Sequence, residues 1–194
     1  MTAELWLTLA AILILLALSA FFSGAETALT AASRTRIQHL EHRGDRSAAI
    51  VRRLRDDRET LIGAVLLGNI LVNVLAAALA TDLLIRLTGP LGILYAAILM
   101  TLAILIFGEV LPRTLAFGRA DRVALAAAPL LDRIVRTLRP PVAAIRFGVR
   151  RTLRLFGVAA DATYSHEARD EELRGAIELH RDEERKIRDE RRML

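Results

Sequence analysis

A single carboxylate, Glu109, lies at the end of a long apolar run, within the segment FGEVLP at 107–112. An ionisable side chain at that depth in a membrane is costly, so it usually faces a bundle interior or a polar cavity and marks a functional site. Pro112 has no amide hydrogen, so within a helix the carbonyl oxygen of Gly108 would lack its donor. The carboxylate and this free carbonyl are two hard oxygen ligands, and together they suit a cation.

Two further polar clusters interrupt the apolar sequence. Ser23 and Gly24 end the first apolar run, and Glu26 follows just beyond them. Asn69 and Asn73 lie in the second run, where a spacing of four residues places both amides on one helix face. A cavity open to one side of the membrane would bring these groups together with the carboxylate of the third run.

The chemistry of these groups selects the type of ion. All of them are oxygen donors: hydroxyl, carboxamide, carboxylate and freed carbonyl. Magnesium takes oxygen ligands at ~2.0–2.1 Å and is usually held by one or two carboxylates. The chain has no cysteine and its histidines lack metal-ligand spacing, so copper and zinc are poor candidates. No nucleophile–base pair or phosphate-cradling loop is present, so we do not expect an enzyme.

Each cluster also has a purely structural interpretation, which the sequence leaves open. Asn69 and Asn73 are able to hydrogen-bond across helices, a contact that contributes only about 0.6 kcal/mol on average. Ser23 with Gly24 is typical of a close helix contact. Glu26 is as able to pair with an arginine as to touch an ion, and Glu109 could be a neutral, hydrogen-bonded acid.

The composition places these residues in a membrane protein. Of 194 residues, 54% are hydrophobic and 25% are charged, and the two classes are segregated along the chain. The net charge is +5, and the arginines flank the apolar runs, so membrane topology explains them better than a nucleic-acid partner does. We therefore expect the lipid bilayer, and no nucleic acid, among the partners.

Three segments are long enough to cross the bilayer, at 3–22, 60–84 and 91–111, because roughly twenty apolar residues span the hydrocarbon. Thr88-Gly89-Pro90 predicts a tight turn and thus an antiparallel hairpin. The arginine-rich connection 33–59 favours the cytoplasmic side. The predicted protein is multi-pass in the inner (plasma) membrane, with the N-terminus outside and the C-terminus in the cytoplasm.

The stretch 123–149 is apolar but carries Asp132 and several arginines, so it predicts interfacial helices that form a collar along the inner leaflet. Pro140-Pro141 predicts a break in the middle of this stretch. The fold class expected is an all-α membrane protein with three transmembrane helices, juxtamembrane helices and a cytoplasmic helical bundle. Its predicted domains are 1–156 in and at the membrane and an acidic helical bundle at 157–194, which we expect to precede a further domain.

Three motifs, FFSGAETA at 21–28, GNILVN at 68–73 and FGEVLP at 107–112, together resemble the CNNM/CorC family of magnesium transporters. The charged tail is similar to the family's acidic helical bundle. This resemblance implies a homodimer, a largely dehydrated Mg2+ ion as cargo, and export coupled to sodium (Na+) entry at an inward-facing site. The implied ion ligands are Ser23, Asn69, Asn73 and Glu109, with backbone carbonyls near Gly24 and Gly68. The implied supporting residues are Gly24, Glu26, Gly68, Gly108 and Pro112.

Two departures from the family pattern qualify the resemblance. Arg113 stands where the family usually has lysine, and a planar guanidinium differs from a compact ammonium. The family's nucleotide-binding CBS domains have no counterpart in these residues.

A rival hypothesis is a membrane-anchored magnesium sensor or scaffold that regulates another transporter. A third is an inert membrane anchor, in which neutralising Glu109 would have no consequence.

Overall fold

The computed structural model describes residues 2–155. The chain divides into two compact units, residues 1–143 and residues 144–194. Of the second unit, only residues 144–155 are described. The acidic bundle predicted for 157–194, together with its boundary at 156, lies outside the described residues.

The described part of the chain contains helices and no strand. This confirms the predicted all-α fold class. The helices are, in order, α1 (Thr2–Ala31), α2 (Arg34–His42), α3 (Arg46–Asp56), α4 (Arg58–Thr88), a 3-10 turn (Gly89–Leu91), α5 (Gly92–Ala103), a π turn (Ile104–Val110), α6 (Leu111–Gly118) and α7 (Ala120–Leu155).

Two continuous helical stretches, 3–31 and 58–118, are long and apolar enough to cross a membrane. The second stretch reverses direction at the 3-10 turn, where Gly89 adopts a φ of 72° that favours glycine. Gly92 then packs on the backbone of Leu84, since a Cβ added to it would lie 2.4 Å from the carbonyl carbon of Leu84. Further along, Met100 of α5 shares a buried cluster with Ala76 of α4. The predicted antiparallel hairpin is therefore confirmed.

Small helices fill the arginine-rich connection between α1 and α4. Ser33 caps α2 by accepting a hydrogen bond from the backbone N–H of Arg36, and Asp45 caps α3 in the same way. The guanidinium of Arg55 donates to the carbonyl oxygen of Ala32 at 3.0 Å, just beyond the end of α1. One arginine of this connection thus satisfies an orphan carbonyl at a helix C-terminus.

The core of the first unit is built around small side chains. Ala28 of α1 and Ala64 of α4 are fully buried in it, so the helix backbones approach closely. Leu29, Val51 and Leu131 are the large apolar side chains that are fully buried, and they come from α1, α3 and α7. Helices α3 and α7, which the sequence predicts to lie at or beyond the inner leaflet, therefore share one core with the long apolar helices.

Helix α7 corrects the predicted break at Pro140-Pro141, because the helix continues through both prolines and through Pro129. An interior proline costs ~3 kcal/mol. Tertiary packing overrides that cost here, since Val135 and Val142 are buried on either side of the proline pair while the prolines themselves are exposed.

Ion pairs fasten α7 to the neighbouring helices. Asp132 is only 6% exposed and accepts hydrogen bonds from Arg53 of α3 and from Arg136 one turn further along α7. Arg139 donates to Asp57, directly before α4, at 2.9 Å. Burial tends to raise the pKa of Asp132, but the hydrogen bonds from Arg136 and Arg53 outweigh it and hold that pKa below the usual value.

Candidate functional site

Two serines of α1 connect this helix to α4 and to the third apolar segment, which runs from α5 through the π turn to α6 and is named the third limb. Ser19 and Ser23 are one turn apart and 0% and 1% exposed. The hydroxyl of Ser19 donates to Oδ1 of Asn69 in α4 at 3.0 Å. The hydroxyl of Ser23 lies 3.5 Å from the backbone carbonyl oxygen of Glu109. α1 therefore contacts α4 and the π turn through neighbouring polar side chains.

The third limb is irregular where Glu109 lies. The π turn widens the helix, and the backbone N–H of Leu111 donates to the carbonyl of Ile106, five residues back. Pro112 follows at the start of α6 and has no N–H, so the carbonyls at the end of the π turn lack one donor. The segment therefore stays helical through Pro112 and forms a π turn, which the sequence did not predict.

Glycines allow α1 to approach its neighbours closely at the same level. A Cβ added to Gly108 would lie 2.8 Å from Oγ of Ser19, and one added to Gly68 would lie 2.6 Å from the ring of Phe22. Gly24 faces Pro112 at ordinary van der Waals distance. Gly24 thus lies at a helix contact, as its structural interpretation predicted, and Gly68 and Gly108 make two tighter contacts that the sequence did not predict.

α1 and α4 remain uninterrupted α-helices through Gly24 and Gly68. Backbone carbonyls in an uninterrupted helix point along its axis toward their own N–H donors. The implied ion ligands from these two neighbourhoods are therefore not freed by a helix break, and the described irregularity is confined to the third limb.

A cluster of charged side chains covers Ser23. Nε of Arg113 donates to Oγ of Ser23 at 2.9 Å. Nη2 of the same guanidinium lies 3.9 Å from Oε2 of Glu26 and 3.9 Å from Oε2 of Glu109. The sequence allowed either an ion or an arginine as the partner of Glu26, and in the structure this carboxylate faces an arginine.

Asn73 lies one turn beyond Asn69 in α4, and its carboxamide oxygen is buried without a hydrogen-bond partner among residues 2–155. Unpaired buried polar atoms are uncommon in folded proteins and call for an explanation such as a bound ion. The described contacts connect Ser23 with Glu109 and Asn69 with Ser19, while Asn73 makes no polar contact with the other candidate residues.

Two residues of this region were not among the candidates predicted from the sequence. Ser19 orients Asn69, and its signal was its position one helical turn before Ser23. Arg113 was noted only as a departure from a family pattern, yet it contacts three polar side chains of the region. Its signal was its spacing of four residues from Glu109.

The polar groups of this region are oxygen donors together with the guanidinium of Arg113. No group of three or more histidine, cysteine, aspartate or glutamate side chains gathers in the described part of the chain. A cation here would meet one or two carboxylates and several neutral oxygens, which is how Mg2+ is usually held.

Comparisons with known proteins agree with the motifs. Residues 10–190 match the family described as CNNM, cyclin M transmembrane N-terminal domain. The chain is 37% identical over 160 residues to the UPF0053 inner membrane protein YfjD of Escherichia coli, covering 82% of this chain and 37% of that protein. It is 32% identical over 150 residues to a UPF0053 protein of Haemophilus influenzae, covering 77% and 36%.

A more distant relative is the DUF21 domain-containing protein At1g55930, chloroplastic, of Arabidopsis thaliana, which is 32% identical over 172 residues. That match covers 85% of this chain and 26% of the plant protein. The chain therefore spans well under half the length of these relatives. Because the family match covers almost the whole of this chain, the chain is a membrane protein that belongs to the CNNM family, as the three motifs predicted.

Proposed function

We propose that this chain is the core of a magnesium transporter, with Mg2+ as its cargo. The observation that carries the proposal is the contact of Ser23 with Glu109 at a π turn. A buried and unpartnered oxygen on Asn73, one helical turn from Asn69, adds support. π turns inside helices are frequent at functional sites, and irregular backbone inside a membrane normally lines a cavity.

The proposed ligands are Ser23, Asn69, Asn73 and Glu109, joined by a carbonyl of the π turn. One carboxylate among neutral oxygens gives moderate affinity, which favours release, because a transported ion must leave as well as enter. Asn69 is held in orientation by Ser19, so its amide need not be ordered when the ion arrives.

The proposed topology has three crossings, formed by α1, α4 and the limb from α5 to α6. Arginines concentrate in α2 and α3, which supports a cytoplasmic connection, with the N-terminus outside and the C-terminus inside. We propose an inner-membrane location, because the Escherichia coli relative is named an inner membrane protein. The proposed assembly is the homodimer that the family resemblance implies.

The proposed direction is export, driven by sodium entry. Moving a divalent cation out against the membrane potential requires a driving ion, since each elementary charge costs ~2.3 kcal/mol per 100 mV. A sodium gradient directed inward can supply that energy.

A flux assay tests the proposal directly. Purified protein in liposomes should move Mg2+, followed by an indicator trapped inside, faster than empty liposomes do, and an opposing sodium gradient should accelerate the movement. Glu109→Ala should abolish the flux, while Glu4→Ala, which removes an exposed carboxylate near the N-terminus, should not. Saturable binding without flux would instead identify a sensor or scaffold.

A further inference from the structure

The guanidinium of Arg113 faces three polar side chains of the candidate region. Its Nε donates to Ser23 at 2.9 Å, and its Nη2 lies 3.9 Å from both Glu26 and Glu109. One guanidinium therefore faces a ligand hydroxyl and a ligand carboxylate at the same time.

A divalent ion and this guanidinium make incompatible demands on the same oxygens. The lone pair of Ser23 that accepts from Nε is directed at the arginine and not at an ion. An ion bound to Glu109 would also stand a few ångströms from a fixed positive charge, and such repulsion is strong where water is scarce. Movement of Arg113 away from these two side chains would therefore favour an ion that binds both of them.

The arginine has room and a second partner for such a movement. Its side chain is 50% exposed, and Glu26 lies on α1 at the same distance from Nη2 as Glu109 does. The flexible stem of arginine can therefore shift the guanidinium from Glu109 toward Glu26 without losing its ionic contact.

We propose that Arg113 is a tethered cation that competes with Mg2+ for Ser23 and Glu109. It moves toward Glu26 when the ion binds and returns to displace the ion. The inference rests on the proposed function, because it needs Mg2+ to bind at these ligands. Since Arg113 touches the ligands and not the cargo, it acts as an affinity-setting residue.

Magnesium titration of charge-removing variants tests this competition. Arg113→Gln and Arg113→Met should each bind Mg2+ about tenfold or more tightly than the wild type, because a competing charge is gone. Arg113→Lys keeps the charge and should stay within about threefold of the wild type. Arg119→Gln is the matched control, since it removes an exposed arginine just beyond α6 and should leave the affinity unchanged.

The sign of the change separates competition from a structural role. If Arg113 merely holds α6 against α1, the Gln and Met variants bind Mg2+ more weakly, and the inference is wrong. Two charge-removing variants are used so that one that fails to fold, as judged by size-exclusion chromatography, leaves the other.

Different results would contradict the proposed function and the competition by Arg113. If Mg2+ binds the wild type and Glu109→Ala equally, the site itself is wrong. If Glu109→Ala loses binding while both Arg113 variants match Arg119→Gln, only the competition is wrong.

Discussion

Asn73 carries a carboxamide oxygen that is buried and has no hydrogen-bond partner among residues 2–155. Leaving such an atom unpaired costs about 1–3 kcal/mol. A residue kept only for packing would be replaced by a leucine of similar volume at no cost. In the proposed function, the missing partner of this oxygen is the bound ion.

Replacing this amide should separate stability from binding. We expect Asn73→Leu to raise the unfolding free energy by about 1 kcal/mol, because an unpaired polar atom is removed from an apolar site, and to abolish Mg2+ binding. Thermal unfolding in detergent and magnesium titration measure the two effects. A variant that is less stable yet still binds Mg2+ would show that Asn73 makes an interhelical contact instead.

At the scale of elements, the proposed function assigns the supply of free backbone and carboxylate oxygens to the third limb. α1 and α4 pass the site as regular helices, whereas the π turn and Pro112 leave the backbone of the third limb incompletely bonded. Regular helices position Ser23 and Asn69 rigidly, and the irregular segment supplies the oxygens of Glu109.

Pro112→Ala tests this division of roles. Alanine supplies the missing N–H and retains a Cβ against Gly24, so we expect a more regular helix, unchanged or higher thermal stability, and at least about tenfold weaker Mg2+ binding. Pro129→Ala is the control, because it removes an exposed interior proline of α7 and should change stability alone. Equal affinity in the wild type and Pro112→Ala would remove the π turn from the account.

The crossing of α1 with α4 depends on the absence of a side chain at Gly68. A Cβ there would lie 2.6 Å from the buried ring of Phe22, so Gly68→Ala should lower the unfolding free energy by about 1–3 kcal/mol through overpacking. Gly118→Ala, with no atom within 4 Å of the added Cβ, is the matched control. Phe22→Leu in the Gly68→Ala background should restore part of the loss, and independent effects of the two changes would contradict the contact.

Local sequence signals predicted the elements well and their irregularities less well. The hairpin followed from Gly89-Pro90, because a tight turn depends on backbone chemistry alone, whereas Pro112 predicted a carbonyl without its donor and not the π turn. The continuity of α7 through Pro140 and Pro141 depended instead on burial of Val135 and Val142 against other helices. Likewise, the partners of Ser19 and Arg113 lie fifty or more residues away for their key contacts, which no local pattern specifies.

At the scale of the first unit, charge pairs join α7 to the arginine-rich connection and to the start of the apolar helix α4. Asp132 of α7 accepts from Arg53 of α3, and Asp57 before α4 accepts from Arg139 of α7. A movement of α4 would therefore act on α7 through Asp57 and Arg139 as well as on the polar residues that α4 carries.

Asp132→Asn should weaken this attachment in a pH-dependent way. The carboxylate has a pKa below its usual value, so the stability it contributes is present above about pH 4 and is lost as the pH falls through the lowered pKa. We expect the variant to be less stable than the wild type by about 1–3 kcal/mol at neutral pH and to approach it in strong acid. A difference that persists unchanged at low pH would show that the charge of Asp132 is not responsible.

The central claim, that the third limb holds a cation at Glu109, is tested most directly by calorimetric titration of Mg2+ into the purified chain. We predict saturable binding to the wild type and to Glu4→Ala, and no measurable binding to Glu109→Ala in protein that still unfolds cooperatively. Equal binding by the wild type and Glu109→Ala would contradict the account.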